Sequence, residues 1–507
     1  MLRGIVATLM QAYHDWLRSV DCELKGSTSD RRILRWGEED LALDLTSLAS
    51  EDPPQPYNAS MCTALSPNGQ LLAVALGGKL TLIENQTLEV RREWQLPSSE
   101  VCGLDFDPTS RYLAAAWDSF PDDPVSPREC VAVFDTLQAP RSQPFSRSNQ
   151  QRLVSTLMDA LSDHLKIDQA WSRSECEEHA QCNLGYYIEQ KAEVSLRERA
   201  TAQDAMWLAR GVSFTQSPWS PASRQLLTVC EFERNTVPVL VDKATGSRCI
   251  LTGLDNNFAC SCFSSDGSVV YVVSYDKKLT VFSTGHGSPQ GTLLSQYTSE
   301  DHLGGQGAMA IRGDDNVLAV SSNGRVTLFD VSDASRPRKT DQMDLPLAGW
   351  IRSLHWRADQ SHGGQPVPFD SQCLWIGSFQ GIHVQQVTGK GTFAACQDAW
   401  LWSMQPEREH LNYQREIMDI TFSADGSHVA IHAPTGQVYV YNFQGERCWL
   451  LEPDTEVKAS TLSGTAHFLP KHHESDDERL ICCHRDSTAR IWTLSKDAPK
   501  GSWGAKT

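Results

Sequence analysis

No stretch of this chain approaches the roughly 20 uninterrupted apolar residues that a membrane-spanning helix needs. Basic residues are also in short supply. There are 45 Lys and Arg against 63 Asp and Glu, a formal charge of −18. A binder of the nucleic-acid backbone needs clustered cations, so none is expected here. The 15 cysteines form no disulfide framework, being odd in number and scattered over 507 residues. Several sit in apolar, strand-like runs (Cys62, Cys102, Cys230, Cys260, Cys262), as reduced, buried thiols do. No convincing signal-peptide cleavage site follows the N-terminus, so the sequons at Asn58 and Asn85 carry little weight, and a cytoplasmic or nuclear protein is expected.

Catalytic motifs are missing as well. There is no Gly-x-Ser-x-Gly elbow and no His-Glu-x-x-His pair. "TGKGT" at 388–392 lacks the upstream glycine of a phosphate loop and has Gly391 where Ser or Thr is required, so it reads as a turn. "CEEHAQC" spaces Cys176, His179 and Cys182 three apart, a thiolate–imidazole set that zinc accepts, but no convincing fourth ligand accompanies it. "KHHESDDE" reads as a solvated loop, and Cys482 and Cys483 in the following strand point opposite ways. No metal, cofactor or small-molecule substrate is expected, and the chain does not read as an enzyme.

What the sequence has is repetition. "SSDGSVVYVVSYDKKLTVFS", 264–283, reads as a turn, a β-branched strand, a tight turn and an alternating strand. The last of these recurs in eight places: "KLTLIEN", "CVAVFDT", "TVPVLVD", "KLTVFST", "RVTLFDV", "GIHVQQV", "QVYVYNF" and "TARIWTL". The register residues are Ile83, Phe134, Leu240, Phe282, Phe329, Gln385, Tyr441 and Trp492, mostly 42 to 56 residues apart, with one gap of 106. Turns rich in Ser, Pro, Asn, Asp and Gly recur upstream ("ALSPNG", "DFDPTS", "CFSSDG", "TFSADG"), with a third strand in between. A meander of three or four strands cannot cover both its faces, so such units must stack on one another.

"FSSDG…VVSYDKKLTVF" and "LICCHRDSTARIWTL" resemble the WD-repeat family of β-propellers, in which a Ser-x-Asp turn precedes a strand ending in Trp-Asp. Ser274 and Asp276 before Phe282 keep that spacing, as does Asp486 before Trp492, and Asp135 and Asp330 follow an aromatic. The resemblance spans roughly residues 59 to 495. The family's Gly-His pair is missing and no repeat ends in Trp-Asp. "WTLSK" departs from the Trp-Asp-x-Arg of ubiquitin-ligase adaptors.

The resemblance implies an all-β fold, a single propeller of seven or eight four-stranded blades occupying 31–495. "RRILRWGEEDLALDL" (31–45) offers a strand to complete the last blade. Residues 1–30 carry an amphipathic helix (Ile5, Leu9, Tyr13, Trp16, Leu17, Val20), and 496–507 form a tail. The long gap holds a helical insertion, 141–205, in or just after blade two. "QQRLVSTLMDALSDHLKI" has Leu153, Leu157, Met158, Leu161 and Leu165 on one face, and "AEVSLRERATAQDAMWLAR" reads as a second helix.

In such a propeller the turns between second and third strands lie on one rim. The longest of these, "WDSFPDDPVSPRE", carries Trp117 and Phe120, and its neighbours carry Phe232, Arg234, Tyr275, Phe379 and Arg485. Aromatics and arginine dominate interface hot spots, so these seven are the candidate partner-binding residues. Asp276 and Asp486 are the candidate structural turn residues. The function expected is a protein-interaction scaffold or complex subunit whose partners are other proteins, contacting neither nucleic acid nor membrane. The rival readings are a propeller enzyme or metal-binding protein, and a structural subunit buried in an assembly.

Overall fold

The computed structural model describes residues 32–35, 40–44, 62–76, 78–97, 101–117, 130–140, 151, 154–155, 194, 196–209, 213–232, 235–254, 257–285, 289–299, 303, 307–345, 351–356, 373–378, 381–394, 400–403, 419–423, 428–432, 438–442, 448–452, 464–470, 477–484 and 488–494. The expected N-terminal helix, the C-terminal tail, and Cys176, His179 and Cys182 lie outside them. The chain divides into two compact units, Asp44–Asp301 and Met1–Leu43 with His302–Thr507.

The strands run in chain order from β1 (Arg32–Arg35) and β2 (Leu41–Asp44) to β33. Asp44–Asp301 holds four sheets. The first is β3 (Cys62–Leu65), β4 (Leu71–Leu76), β5 (Lys79–Glu84) and β6 (Val90–Gln95). The second is β7 (Val101–Phe106), β8 (Tyr112–Trp117), β9 (Cys130–Asp135) and β10 (Trp207–Ala209). The third is β11 (Ser213–Trp219), β12 (Gln225–Phe232), β13 (Asn235–Asp242) and β14 (Arg248–Ile250). The fourth is β15 (Phe258–Phe263), β16 (Val269–Ser274), β17 (Lys278–Ser283) and β18 (Leu293–Thr298).

The other unit repeats the plan. Its fifth sheet is β19 (Met309–Ile311), β20 (Val317–Ser322), β21 (Arg325–Asp330) and β22 (Arg338–Asp344). Its sixth is β23 (Ile351–Trp356), β24 (Cys373–Ser378), β25 (Gly381–Gln386) and β26 (Trp400–Ser403). Its seventh is β27 (Asp419–Phe422), β28 (His428–His432), β29 (Val438–Asn442) and β30 (Cys448–Glu452), with β1 added in parallel beside β30. In its eighth, β31 (Gly464–Leu469), β32 (Glu478–His484) and β33 (Thr488–Leu494), the outer strand is β2. The N-terminal segment thus supplies strands to two sheets.

Alternation along each strand sends successive side chains to opposite neighbours. In the second sheet Leu113, Ala115, Trp117, Ala132 and Phe134 pack against the first sheet, while Ala114, Ala116, Val131 and Val133 pack against the third. Leu227 and Leu240 of the third meet Val270, Val272 and Phe282 of the fourth. Buried seams of this kind also join the fifth sheet to the sixth and the seventh to the eighth. Both faces of the inner strands are therefore apolar, which is why these segments read as near-continuous hydrophobic runs.

Five of the described turns between first and second strands share one construction. Ser66, Asp107, Ser220, Ser264 and Ser423 open them, and each side chain accepts the N–H five residues on, at 2.7 to 3.1 Å. In four of these turns the residue three along is left-handed: Gly69, Ser110, Ser223 and Gly267. Glycine takes that conformation without strain, and the two serines take it inside fully hydrogen-bonded turns.

Of the two places expected for the insertion, the chain takes the one within the second sheet, since β10 completes that sheet after it. One sequence expectation needs correction. The segment expected to be helical to residue 210 is helical over 196–204 (α1) and then turns into a strand. Trp207, Leu208 and Ala209 pair with Val133, Ala132 and Val131, and this pairing outweighs local helical preference. Of the other expected helix only residues 151, 154 and 155 are described, and they are helical.

Helix α1 is fastened to the first sheet. Buried Arg197 donates to Gly78 O at 2.8 Å and to Gln95 Oε1 at 3.1 Å, and Thr201 Oγ1 donates to Gln95 O at 2.7 Å. Gly78 has φ +77°, and a Cβ there would stand 2.7 Å from Arg197 Nη1, so only glycine fits. Arg197→Ala should cost about 2 kcal/mol, since it removes a buried charged donor from Gly78 O, which keeps the Leu96 N–H, and from Gln95 Oε1. The check is a lower melting temperature together with faster hydrogen exchange across 196–209, which an exposed arginine would not produce.

Candidate interaction surface

The turns between second and third strands were expected to carry the partner-binding residues. The best described of them joins β16 to β17. Ser274 Oγ donates to Asp276 Oδ1, and Lys278 Nζ lies 3.4 Å from the other carboxylate oxygen. Lys277 takes the left-handed φ of 68° that closes the turn and donates its N–H to Ser274 O at 3.2 Å. Ser299 N–H, just past β18, donates to Lys277 O, and Tyr275 N–H donates to Asn257 O, both at 2.9 Å. Asn257 also accepts from Thr236 N–H through its side chain at 2.8 Å, so it ties the start of β13 to this turn. On this braced backbone the Tyr275 side chain is 44% exposed.

The other candidates fare differently. Trp117 is a correction, being fully buried (0% exposed) in the seam between first and second sheets. Its position in β8 places it on the same face as Leu113 and Ala115, so the ring fills the core and offers a partner nothing. Phe232 ends β12, opposite Asn235, with only its backbone described. Phe120, Arg234, Phe379, Arg485 and Asp486 lie outside the described residues.

Sequence reading passed over Asn257, whose bracing contact joins two turns 18 or more residues from it in either direction along the chain. It also passed over a polar cluster beneath the second and third sheets. Asp107, fully buried, accepts from Thr109 Oγ1 at 2.6 Å, from the N–H groups of Arg111 and Tyr112 at 2.9 and 2.7 Å, and from Ser223 Oγ. Lys243 Nζ donates to Ser223 Oγ at 2.7 Å, lies 3.6 Å from Asp107, and stands 4.2 Å above the Tyr112 ring. Desolvation acts upward on the Asp107 carboxyl, yet the donors from Ser223, Thr109 and Tyr112 hold it below its ordinary range. The serine proton is directed at a carboxylate and its oxygen is capped by a lysine. That is the geometry of a rivet between sheets and not of a nucleophile.

Among the described residues, no group of three or more His, Cys, Asp and Glu is placed to hold a metal ion. No helix among them is long and apolar enough to cross a membrane.

No family model matches this sequence, and no curated protein sequence does either. Solved structures do. The C-terminal WD40 domain of Sif2 matches across 92% of this chain and 99% of its own, with a TM-score of 0.54 at 10% identity. Sqt1 of Saccharomyces cerevisiae matches across 86% and 96%, with a TM-score of 0.53 at 11% identity. Likeness at these identities establishes the fold, a WD40-type β-propeller.

Proposed function

We propose that this WD40-type propeller is a non-catalytic interaction scaffold, a subunit of a multiprotein complex that engages other proteins through the turns between second and third strands. The observation that carries the reading is the Tyr275 turn. An aromatic side chain is held out to solvent by a backbone fixed through hydrogen bonds to Asn257, Ser274 and Ser299. A side chain so presented loses little conformational freedom on binding, which makes aromatics effective anchors. Phe232, Arg234, Phe120, Phe379 and Arg485 belong to the same proposal.

The second reading, a subunit docked through its insertion, draws on the long chain segment between β9 and β10. The two are separated by affinity purification of tagged protein, of Tyr275→Ala, and of a chain with 141–193 replaced by a Gly-Ser linker. That linker must spare α1, because Arg197 and Thr201 hold it to the first sheet. Tyr275→Ala is expected to change stability by less than about 0.5 kcal/mol, as exposed positions do, and to lose a defined set of partners. Unchanged partners for Tyr275→Ala, with loss in the linker variant, would transfer the binding site to the insertion.

A further inference from the structure

The described residues form seven sheets of four strands and one, the seventh, of five. Its own β27, β28, β29 and β30 already complete the plan that the other sheets follow, so β1 is an addition to it. The eighth sheet differs, because β31, β32 and β33 are one strand short and β2 supplies the fourth. The two N-terminal strands therefore have unequal roles. β2 completes a sheet, and Asp40 N–H, just before it, donates to Ile491 O at 3.0 Å. β1 covers an edge.

That edge is fixed by contacts other than those to β1. β30 pairs antiparallel with β29 from Cys448 to Leu451, and Trp449 and Leu451 are buried in the seam with the eighth sheet. β1 has four residues and pairs in parallel, the slightly less stable arrangement. Its register shows what the edge accepts. Arg32 stands opposite Trp449, Ile33 opposite Leu450, Leu34 opposite Leu451 and Arg35 opposite Glu452. Two apolar residues are matched to two leucines, and a cation to the carboxylate that ends β30.

We infer that the outer edge of the seventh sheet is a peptide-binding edge held closed by β1, and that its ligand is an extended segment of a partner protein carrying two apolar residues followed by a cation. Such a segment joins β30 through main-chain hydrogen bonds and displaces β1. Leu450, Leu451 and Glu452 set its selectivity. β2 stays in the eighth sheet throughout, so the exchange leaves that sheet complete. The edge binds in this way whether or not the Tyr275 turn engages a partner.

The probe is a fluorescent peptide of residues 31–36, "RRILRW", titrated into the full chain. Ile33→Pro with Leu34→Pro removes two backbone donors from β1 and opens the edge. The peptide should bind that variant with a Kd on the order of 10–100 μM. It should bind wild type at least about tenfold more weakly, because β1 competes from a short tether. A peptide with Arg35→Glu should bind the opened variant less well, and adding Glu452→Arg to that variant should reverse the preference between the two peptides. Misfolding would not produce such a reversal. Wild type gives a check that needs no variant: amides of 32–35 should exchange at least about tenfold faster than those of β29, and faster still with excess peptide, while 448–452 stays protected. Exchange at 32–35 as slow as in β29 overturns the inference. So does equal binding of the peptide to wild type and to the opened variant, or no binding to an opened variant that melts as wild type does.

Discussion

Asp107→Ala is expected to be among the most damaging single substitutions in the chain, lowering stability by about 4 kcal/mol. The carboxylate lies between the second and third sheets with no exposure to solvent. Its removal leaves the Arg111 and Tyr112 N–H groups without their acceptor and the Lys243 ammonium beside Tyr112 without its counter-charge. Breaking one partner of a buried pair costs more than the pair contributes, because the remaining charge stays desolvated. Asp107→Asn separates the two parts. It keeps an acceptor for the turn but loses the charge, so about half the penalty should remain. Lys243→Met, which removes the second charge while keeping the stem over Tyr112, should be milder alone and should rescue part of the Asp107→Asn defect. Urea unfolding of the three variants and the double variant measures the coupling directly. Additive effects would show that the ammonium and carboxylate act independently despite their 3.6 Å separation.

How much of this was legible in the sequence depends on the range of each interaction. The strands were, because alternation, β-branching and turn residues lie within a few positions of one another. The turn at Asp107 could be read from "DFDPTS", where Pro108, Thr109 and Ser110 surround an aspartate that caps its own backbone. The partners that make Asp107 important could not. Ser223 lies 116 residues away and belongs to another repeat. Lys243 looks like any solvated lysine at a strand end. Trp117 misled for a related reason: it stands at the boundary between a strand and a long polar loop, and only the packing of the adjacent sheet decides which it serves. α1 was visible as a helical pattern, but its end was not. Trp207, Leu208 and Ala209 continue the helical spacing and become a strand because β9 offers an open edge there.

Opposite responses to pH are expected from the two units. His355 and His467 sit on innermost strands of the sixth and eighth sheets, and desolvation pushes each down to about 4. His355 packs edge-on against Phe422, with ring centres 5.9 Å apart. His383 is lowered too, by burial, with a hydrogen bond to Gln385 opposing. An unfolded histidine takes up its proton near pH 6.5, so between pH 6.5 and about 4 the unfolded chain binds more protons than the folded one. The stabilising contribution is present above pH 6.5 and is lost as pH falls through that window, by about 3 kcal/mol for each of His355 and His467. Asp105 in β7 behaves in the reverse sense. Desolvation, with Asp107 nearby, pushes it up to about 7, against a hydrogen bond from the Phe106 backbone. Its contribution is complete below the ordinary carboxylate pKa and is lost as pH rises toward 7, by about 4 kcal/mol. Carboxylates held low, Asp107 among them, reverse this only in stronger acid. Hydrogen exchange corrected for its intrinsic pH dependence should therefore lose protection at 351–356 and 464–469 from pH 7 to 4.5, while 101–106 holds or gains. Asp105→Asn should remove the gain, and His355→Gln should flatten the loss at 351–356. Identical protection in all three strands across that range would mean that water reaches these side chains and that their charges are not desolvated.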